Sequence, residues 1–126
     1  MNWEEYTKNR PKTIFCDLDG TLVEHDSPLE TIKPGYKLKL LPGTLETITK
    51  WDKKCYRIIL TTGRREGARV ETEKQLREAG IIYDQLIMGI SGGTRVLIND
   101  KKPDGITETA FAYNLIRNEG IKNLEI

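Results

Sequence analysis

The chain has 126 residues, 31% of them charged, yet the charges nearly cancel to a net +1. That length suits one compact domain, spanning 1–126, with a real core and no room for two. The balance lacks the strongly basic stripe of a protein that tracks nucleic acid, so a nucleic-acid partner is not expected. No apolar run approaches the roughly 20 residues that span a bilayer, and no membrane is expected either. The polar, acidic start Met1-Asn2-Trp3-Glu4-Glu5-Tyr6 does not read as a secretory signal. Two cysteines, Cys16 and Cys55, make no disulfide framework and fit reduced thiols in a cytoplasmic protein.

In chain order, Lys12–Cys16 is the first short β-forming run and Tyr56–Leu60 the second; Tyr83–Met88 and Arg95–Ile98 follow. None alternates cleanly, as expected of central strands buried on both faces of a parallel sheet. Between the first two runs, Leu45, Ile48 and Trp51 follow Pro42-Gly43-Thr44 with a spacing that gives one apolar helix face. Glu66 to Ala79 reads as a second helix, stopped by Gly80. Residues 22–41 break the alternation with Pro28, Pro34, Gly35 and the alternating stretch Tyr36–Leu40, which predicts a β-hairpin flap after the first strand. In the tail, Ala110–Leu115 is open to strand or helix. The expected fold class is α/β: a single Rossmann-like open parallel sheet flanked by helices.

Ligands in such sheets bind beyond the carboxyl ends of the strands. Asp17 and Asp19 follow the first run; Thr61, Thr62 and Arg64 follow the second; Asn99, Asp100 and Asp104 follow the fourth. Three strands thus deliver carboxylates or hydroxyls to one edge. Magnesium takes hard oxygen ligands, and Asp17 with Asp100 offers two carboxylates, a backbone carbonyl near Asp19 a third ligand. Two carboxylates two residues apart can divide labour, one attacking phosphorus while the other passes a proton to the leaving oxygen. Gly20 and Thr21 let the chain turn and present amides or a hydroxyl to phosphate oxygens. Each piece alone has a plainer reading. Asp-Gly is a common turn, Thr61-Thr62-Gly63-Arg64 can end a strand and cap a helix, and Asn99-Asp100 can open a turn before Pro103. His25, the one histidine, reads as a solvated loop residue.

Asp17-Leu18-Asp19-Gly20-Thr21-Leu22 after an apolar strand resembles the first signature of the haloacid dehalogenase-like phosphatases. Ile58-Ile59-Leu60-Thr61-Thr62-Gly63-Arg64 is similar to the second signature, and Val96-Leu97-Ile98-Asn99-Asp100 with Asp104 to the acidic fourth. The resemblance implies Asp17 as a phosphorylated nucleophile and Asp19 as general acid/base. It implies Thr62, with Thr61 as the alternative, as the phosphate-binding hydroxyl within Thr61-Thr62-Gly63-Arg64. Asp17, Asp19 and Asp100 would hold Mg2+, with Asp104 in support. The family also expects a cation that neutralises nucleophile and phosphate. Gly89–Thr94 carries none, and Arg95, opening the fourth strand, should lie at the far end of the sheet. Lys102, Lys101, Arg64 and Lys74 remain open for that role.

About 40 residues separate Asp19 from Thr62, which leaves no room for a cap domain. Capless members act on bulky substrates or close the site with a neighbouring subunit, so a homo-oligomer is consistent. Asn99-Asp100-Lys101-Lys102-Pro103 resembles small phosphatase-like proteins of capsule biosynthesis, which points to a small-molecule sugar phosphate of a polysaccharide pathway. A nucleic-acid 3′-end phosphatase is the enzymatic rival, suggested by Arg69-x-x-Thr72-Glu73-x-x-Leu76. A non-catalytic phosphate-binding regulatory domain is the rival from another class.

Overall fold

The structure is a computed structural model describing residues 2–126. Its first element is a short helix, α1 (Trp3–Lys8), capped by the Asn2 side chain, which accepts from the Glu5 N–H. Strand β1 (Thr13–Asp17) follows, then the four-residue helix α2 (Pro28–Thr31), helix α3 (Thr44–Lys53) and strand β2 (Arg57–Thr61). A 3₁₀ turn at Glu66–Ala68 leads into α4 (Arg69–Ala79), and β3 (Gln85–Ile87) is the last regular element. The three strands form one parallel sheet in the order β1-β2-β3, with Asp17 opposite Thr61 and Thr61 opposite Ile87. Helices α3 and α4 fill the two crossovers, the open α/β arrangement that the sequence predicts.

Local chemistry explains the elements. In α3 the apolar stripe is Ile48 and Trp51, buried together with Thr44 and Thr47. Gly80, with φ +78°, ends α4 in the left-handed conformation common just after helices. The core gathers Ile14, Cys16, Leu18, Leu22 and Val23 with Ile48, Trp51, Ile58, Leu60, Leu76 and Leu86. Among the described residues, no helix is long and apolar enough to cross a membrane.

Three expectations change. Arg95–Ile98 is not a strand: no backbone hydrogen bond ties it to the sheet among the described residues, and Val96, Leu97 and Ile98 are exposed. Strand β1 is therefore an edge strand, buried on one face through Ile14 and Cys16 while Phe15 is 57% exposed on the other. Only β2 carries three successive buried residues, as a central strand should. Ala110–Leu115 is neither strand nor helix. Segment 22–41 is no continuous hairpin, and Tyr36–Lys39 forms no strand. Its base is closed by one antiparallel bridge, Val23 to Leu40, and by Glu24 N–H donating to Lys39 at 2.8 Å. Its outer part holds α2, whose Ser27 cap and Pro28 at the first position give the helix a start signal.

Candidate active site

The site begins where β1 and β2 end. Asp17 is the last residue of β1, and the Leu18 N–H donates to the Thr61 carbonyl at 2.9 Å. The chain then coils on itself: the N–H groups of Thr21, Leu22 and Val23 all approach the Leu18 carbonyl, and Gly20 N–H donates to Val23 at 2.7 Å. Gly20 needs φ +88°, which an L side chain rarely adopts, and a Cβ there would lie 3.1 Å from Arg117 Cγ. Leu18, Leu22 and Val23 are fully buried. Their burial anchors the loop and leaves Asp17 and Asp19 at its rim.

Asp19 is the most heavily held group. Arg64 forks onto it, with Nη2 2.8 Å and Nε 3.2 Å from Oδ1, and Nε 3.3 Å from Oδ2. The Thr62 hydroxyl donates to Asp19 Oδ2 at 2.7 Å and accepts from the Arg64 N–H at 3.1 Å. Both partners of this ion pair are mostly buried, at 7% and 16% side-chain exposure. A paired and fully hydrogen-bonded charge is one that burial tolerates. Arg64 Nη1 in turn donates to Gln75 Oε1 at 2.7 Å and approaches Thr72 Oγ1 at 3.4 Å.

Asp17 is more open, its side chain 40% exposed. Burial pushes its carboxyl above the usual aspartate value; Arg95 pulls it down, Asp19 raises it, and the Thr21 hydroxyl at 3.3 Å lowers it. The two acids thus differ in kind. Asp19 is locked by a cation, and Asp17, held by longer contacts to Thr21 at 3.3 Å and Arg95 at 3.7 Å, is the one more open to a ligand.

The four residues Asp17, Asp19, Thr62 and Arg64 come together as the sequence suggests, with Thr61 half-buried opposite Asp17. Gly63 passes the β3 end closely: a Cβ there would be 3.1 Å from the Ile90 carbonyl. Asp100 does not join them. It lies exposed on an irregular arm, its carbonyl accepting from Thr109 Oγ1 at 2.6 Å. Asp104 instead closes a local turn by accepting from Ile106 and Thr107. Lys102 Nζ sits 5.8 Å and 5.6 Å from the Trp3 and Tyr6 rings, and Lys74 pairs with Glu78.

Arg95 is the surprise. As the opening of a fourth strand it belongs at the far end of the sheet. With that strand unformed, its Nη2 lies 3.7 Å from Asp17 Oδ1. Sequence reasoning also passed over Gln75, and met Thr72 only as part of the Arg69-x-x-Thr72-Glu73-x-x-Leu76 pattern. Their signal was present: polar residues at 72 and 75 share the buried stripe of α4 with Leu76.

Among the described residues, no group of three or more acidic, histidine or cysteine side chains is placed to hold a metal ion. Asp17 offers one hard carboxylate, and Asp100, the second carboxylate expected for magnesium, does not join it.

No protein-family model matches the chain, and no curated protein matches it. Solved structures do. A chain in a structure of the Pnkp1/Rnl/Hen1 complex superposes with a TM-score of 0.51 at 30% identity over 68% of this chain. A second, described as the Pnkp1/Rnl/Hen1 RNA repair complex, gives 0.53 at 30% identity over the same share. The chain spans only 30% and 28% of the length of those two chains. It is similar to a part of them, and the likeness covers an α/β unit of the kind described above.

Proposed function

We propose that the chain is a haloacid dehalogenase-like phosphohydrolase that cleaves a phosphomonoester with Asp17 as nucleophile. The observation that carries this reading is the asymmetry of the two acids. A half-buried Asp17 stands two residues from a more deeply held Asp19, bound by Arg64 and Thr62. In the first step an Asp17 oxygen bonds to phosphorus while the bond to the leaving oxygen breaks. Asp19, the ionised partner of Arg64 in the resting site, must first take up a proton from solvent, and it then delivers that proton to neutralise the leaving oxygen. In the second step Asp19 takes a proton from water as the water oxygen attacks phosphorus and frees the Asp17 carboxylate. The Asp19 N–H, the one amide of the 18–23 loop that donates to no backbone carbonyl among the described residues, and the Thr61 hydroxyl, opposite Asp17, are the phosphate contacts in this reading, because the Thr62 hydroxyl is already spent on Asp19. Arg95 is the cation nearest the nucleophile and the one that offsets charge there.

Magnesium dependence belongs to the proposal. The Asp17 carboxylate would be the protein ligand, and the cation would supply positive charge to the phosphoryl oxygens. No step above depends on its placement.

Two substrate classes fit this chemistry. A sugar phosphate is favoured by the 99–103 pattern and the near-neutral charge. A 3′-phosphorylated nucleic-acid end is favoured by the 30% identity to chains of an RNA repair complex. Phosphate release should be measured with and without Mg2+ on an aryl phosphate, a sugar-phosphate panel and 3′-phosphorylated RNA and DNA oligonucleotides. Asp17→Asn is expected to remove all release, by at least about a thousandfold, as loss of a nucleophile does. Release confined to oligonucleotides would select the second class. No release by the wild-type protein from any of these would leave a phosphate-binding regulatory domain in place of the enzyme.

A further inference from the structure

Gln75 is 6% exposed on the buried stripe of α4, beside Thr72 and Leu76, and its amide is used at both ends. Its Oε1 accepts from Arg64 Nη1 at 2.7 Å, and its Nε2 donates to the Thr31 carbonyl at 2.7 Å. Thr31 is the last residue of α2, in the middle of segment 22–41, and is itself 5% exposed. A single glutamine therefore joins three places that are distant in sequence: the excursion after β1, the end of β2 and the acid of the site. A core position asks only for shape, and burying an amide there costs free energy unless both its ends are paired. Here both are.

We propose that Gln75 is a positioning residue that sets the plane of Arg64 and so couples Asp19 to the seating of segment 22–41. This rests on the reading of Asp19 as the proton donor. A guanidinium is rigid and planar, so fixing Nη1 fixes the direction in which Nε and Nη2 fork onto Asp19. Gln75 can hold that nitrogen only while its carboxamide plane is set by the Thr31 carbonyl at the other end. Lifting α2 breaks that bond, lets the carboxamide turn and loosens the fork. A cleft of about 260 Å³ lined by Lys37, Leu38, Gln75, Glu78 and Ala79 lies between the excursion and α4, where such a movement would take place. The acid is thus aligned when the excursion is seated.

The test uses Gln75→Met, which fills similar volume without polar atoms, and Gln75→Glu, which keeps an acceptor for Arg64 and loses the donor to Thr31. Thermal melts establish that each variant folds. With the substrate that the wild type cleaves, Gln75→Met is expected to lower kcat about tenfold while KM moves less than about twofold, the size of one or two lost hydrogen bonds. Gln75→Glu, which loses the Thr31 anchor, should also lower kcat, by a factor comparable to that of Gln75→Met, and a wild-type kcat there would overturn the coupling. Both variants should speed amide hydrogen exchange at residues 29–33 by about tenfold. Combined with Arg64→Lys, Gln75→Met should add little further loss, because both act through one group. Unchanged exchange at 29–33, an unchanged kcat in Gln75→Met, or fully additive losses would each overturn the coupling. If no substrate is cleaved, the reading of Asp19 fails on its own. The exchange of 29–33 in Gln75→Met and Gln75→Glu then still decides whether Gln75 ties down the excursion. If Gln75→Met does not fold, exchange at 29–33 in Gln75→Glu decides alone, and an unchanged rate there overturns the coupling.

Discussion

Thr62 shows how much one hydroxyl can carry. It is fully buried, donates to Asp19 and accepts from the N–H of Arg64. Thr62→Val keeps the shape, takes one of two donors from an Asp19 oxygen and strands the Arg64 amide. It should cost about 1–3 kcal/mol in a urea midpoint measurement, and phosphate release should fall with it. At this scale the sequence was informative about identity and less so about duty. The spacing of Asp17, Asp19, Thr62 and Arg64 named residues that do lie together, yet nothing in a one-dimensional pattern says that Arg64 faces Asp19 rather than a phosphate. The cysteines follow the same logic. Burial pushes the Cys16 thiol up to about 12, helped by the neighbouring Asp17 charge, whereas Cys55 is exposed. A thiol reagent at pH 8 should therefore label Cys55 alone, and Cys16 only after denaturation.

At the scale of elements, strands β1 to β3 and helices α3 and α4 were legible because each carries its own periodic or apolar signal and lies within a βαβ run. The arm 91–117 was not. Arg95–Ile98 has the composition of a buried strand, but composition does not supply the neighbour that a strand must pair with. The chain leaves the site edge at Arg95, beside Asp17, instead of entering the sheet from its other end. The arm is held by few bonds of its own, chiefly Lys102 N–H to Thr107 and Asn99 to Thr109. A lysine-directed protease should cut first after Lys101, before any site in α3 or α4, and a timed digest read by mass will show it. Segment 22–41 has better internal ties. Tyr36 donates to Asp26 at 2.6 Å and Lys39 lies 3.3 Å away. These bonds, the tyrosine's first, hold the Asp26 carboxyl below its usual value. A depressed folded value stabilises the segment above the ordinary aspartate range, and that support is lost as pH falls through it to the lower folded value. Amide exchange across 26–36 should accelerate below about pH 4 in the wild type, with no such acid-dependent step from this source in Asp26→Asn.

For the whole molecule, the decisive contact is the return of the chain after the arm. Asn118 N–H donates to the Gly20 carbonyl at 2.8 Å, its side chain accepts from the His25 N–H at 2.9 Å, and Ile121 N–H donates to Pro42 at 3.1 Å. The two segments pass so closely that a Cβ on Gly43, at φ +86°, would lie 2.4 Å from Lys122 Cα. Ile121, only 1% exposed, belongs to the same core as Leu18, Leu22 and Ile48. The tail therefore closes the core from outside the sheet and steadies the loop that carries Asp19. No periodicity marked it, since a single buried isoleucine in a turn has no pattern to show. Ile121→Ala should cost about 2–5 kcal/mol, the range for emptying a packed core site, which is a large part of the stability of a domain this size. The urea midpoint should fall accordingly, with the slope unchanged if unfolding stays two-state. An exposed isoleucine on the arm makes the control: Ile106→Ala, at a residue 77% exposed, should leave the midpoint nearly where it was. An unshifted midpoint in Ile121→Ala would mean that the returning tail does not close the core.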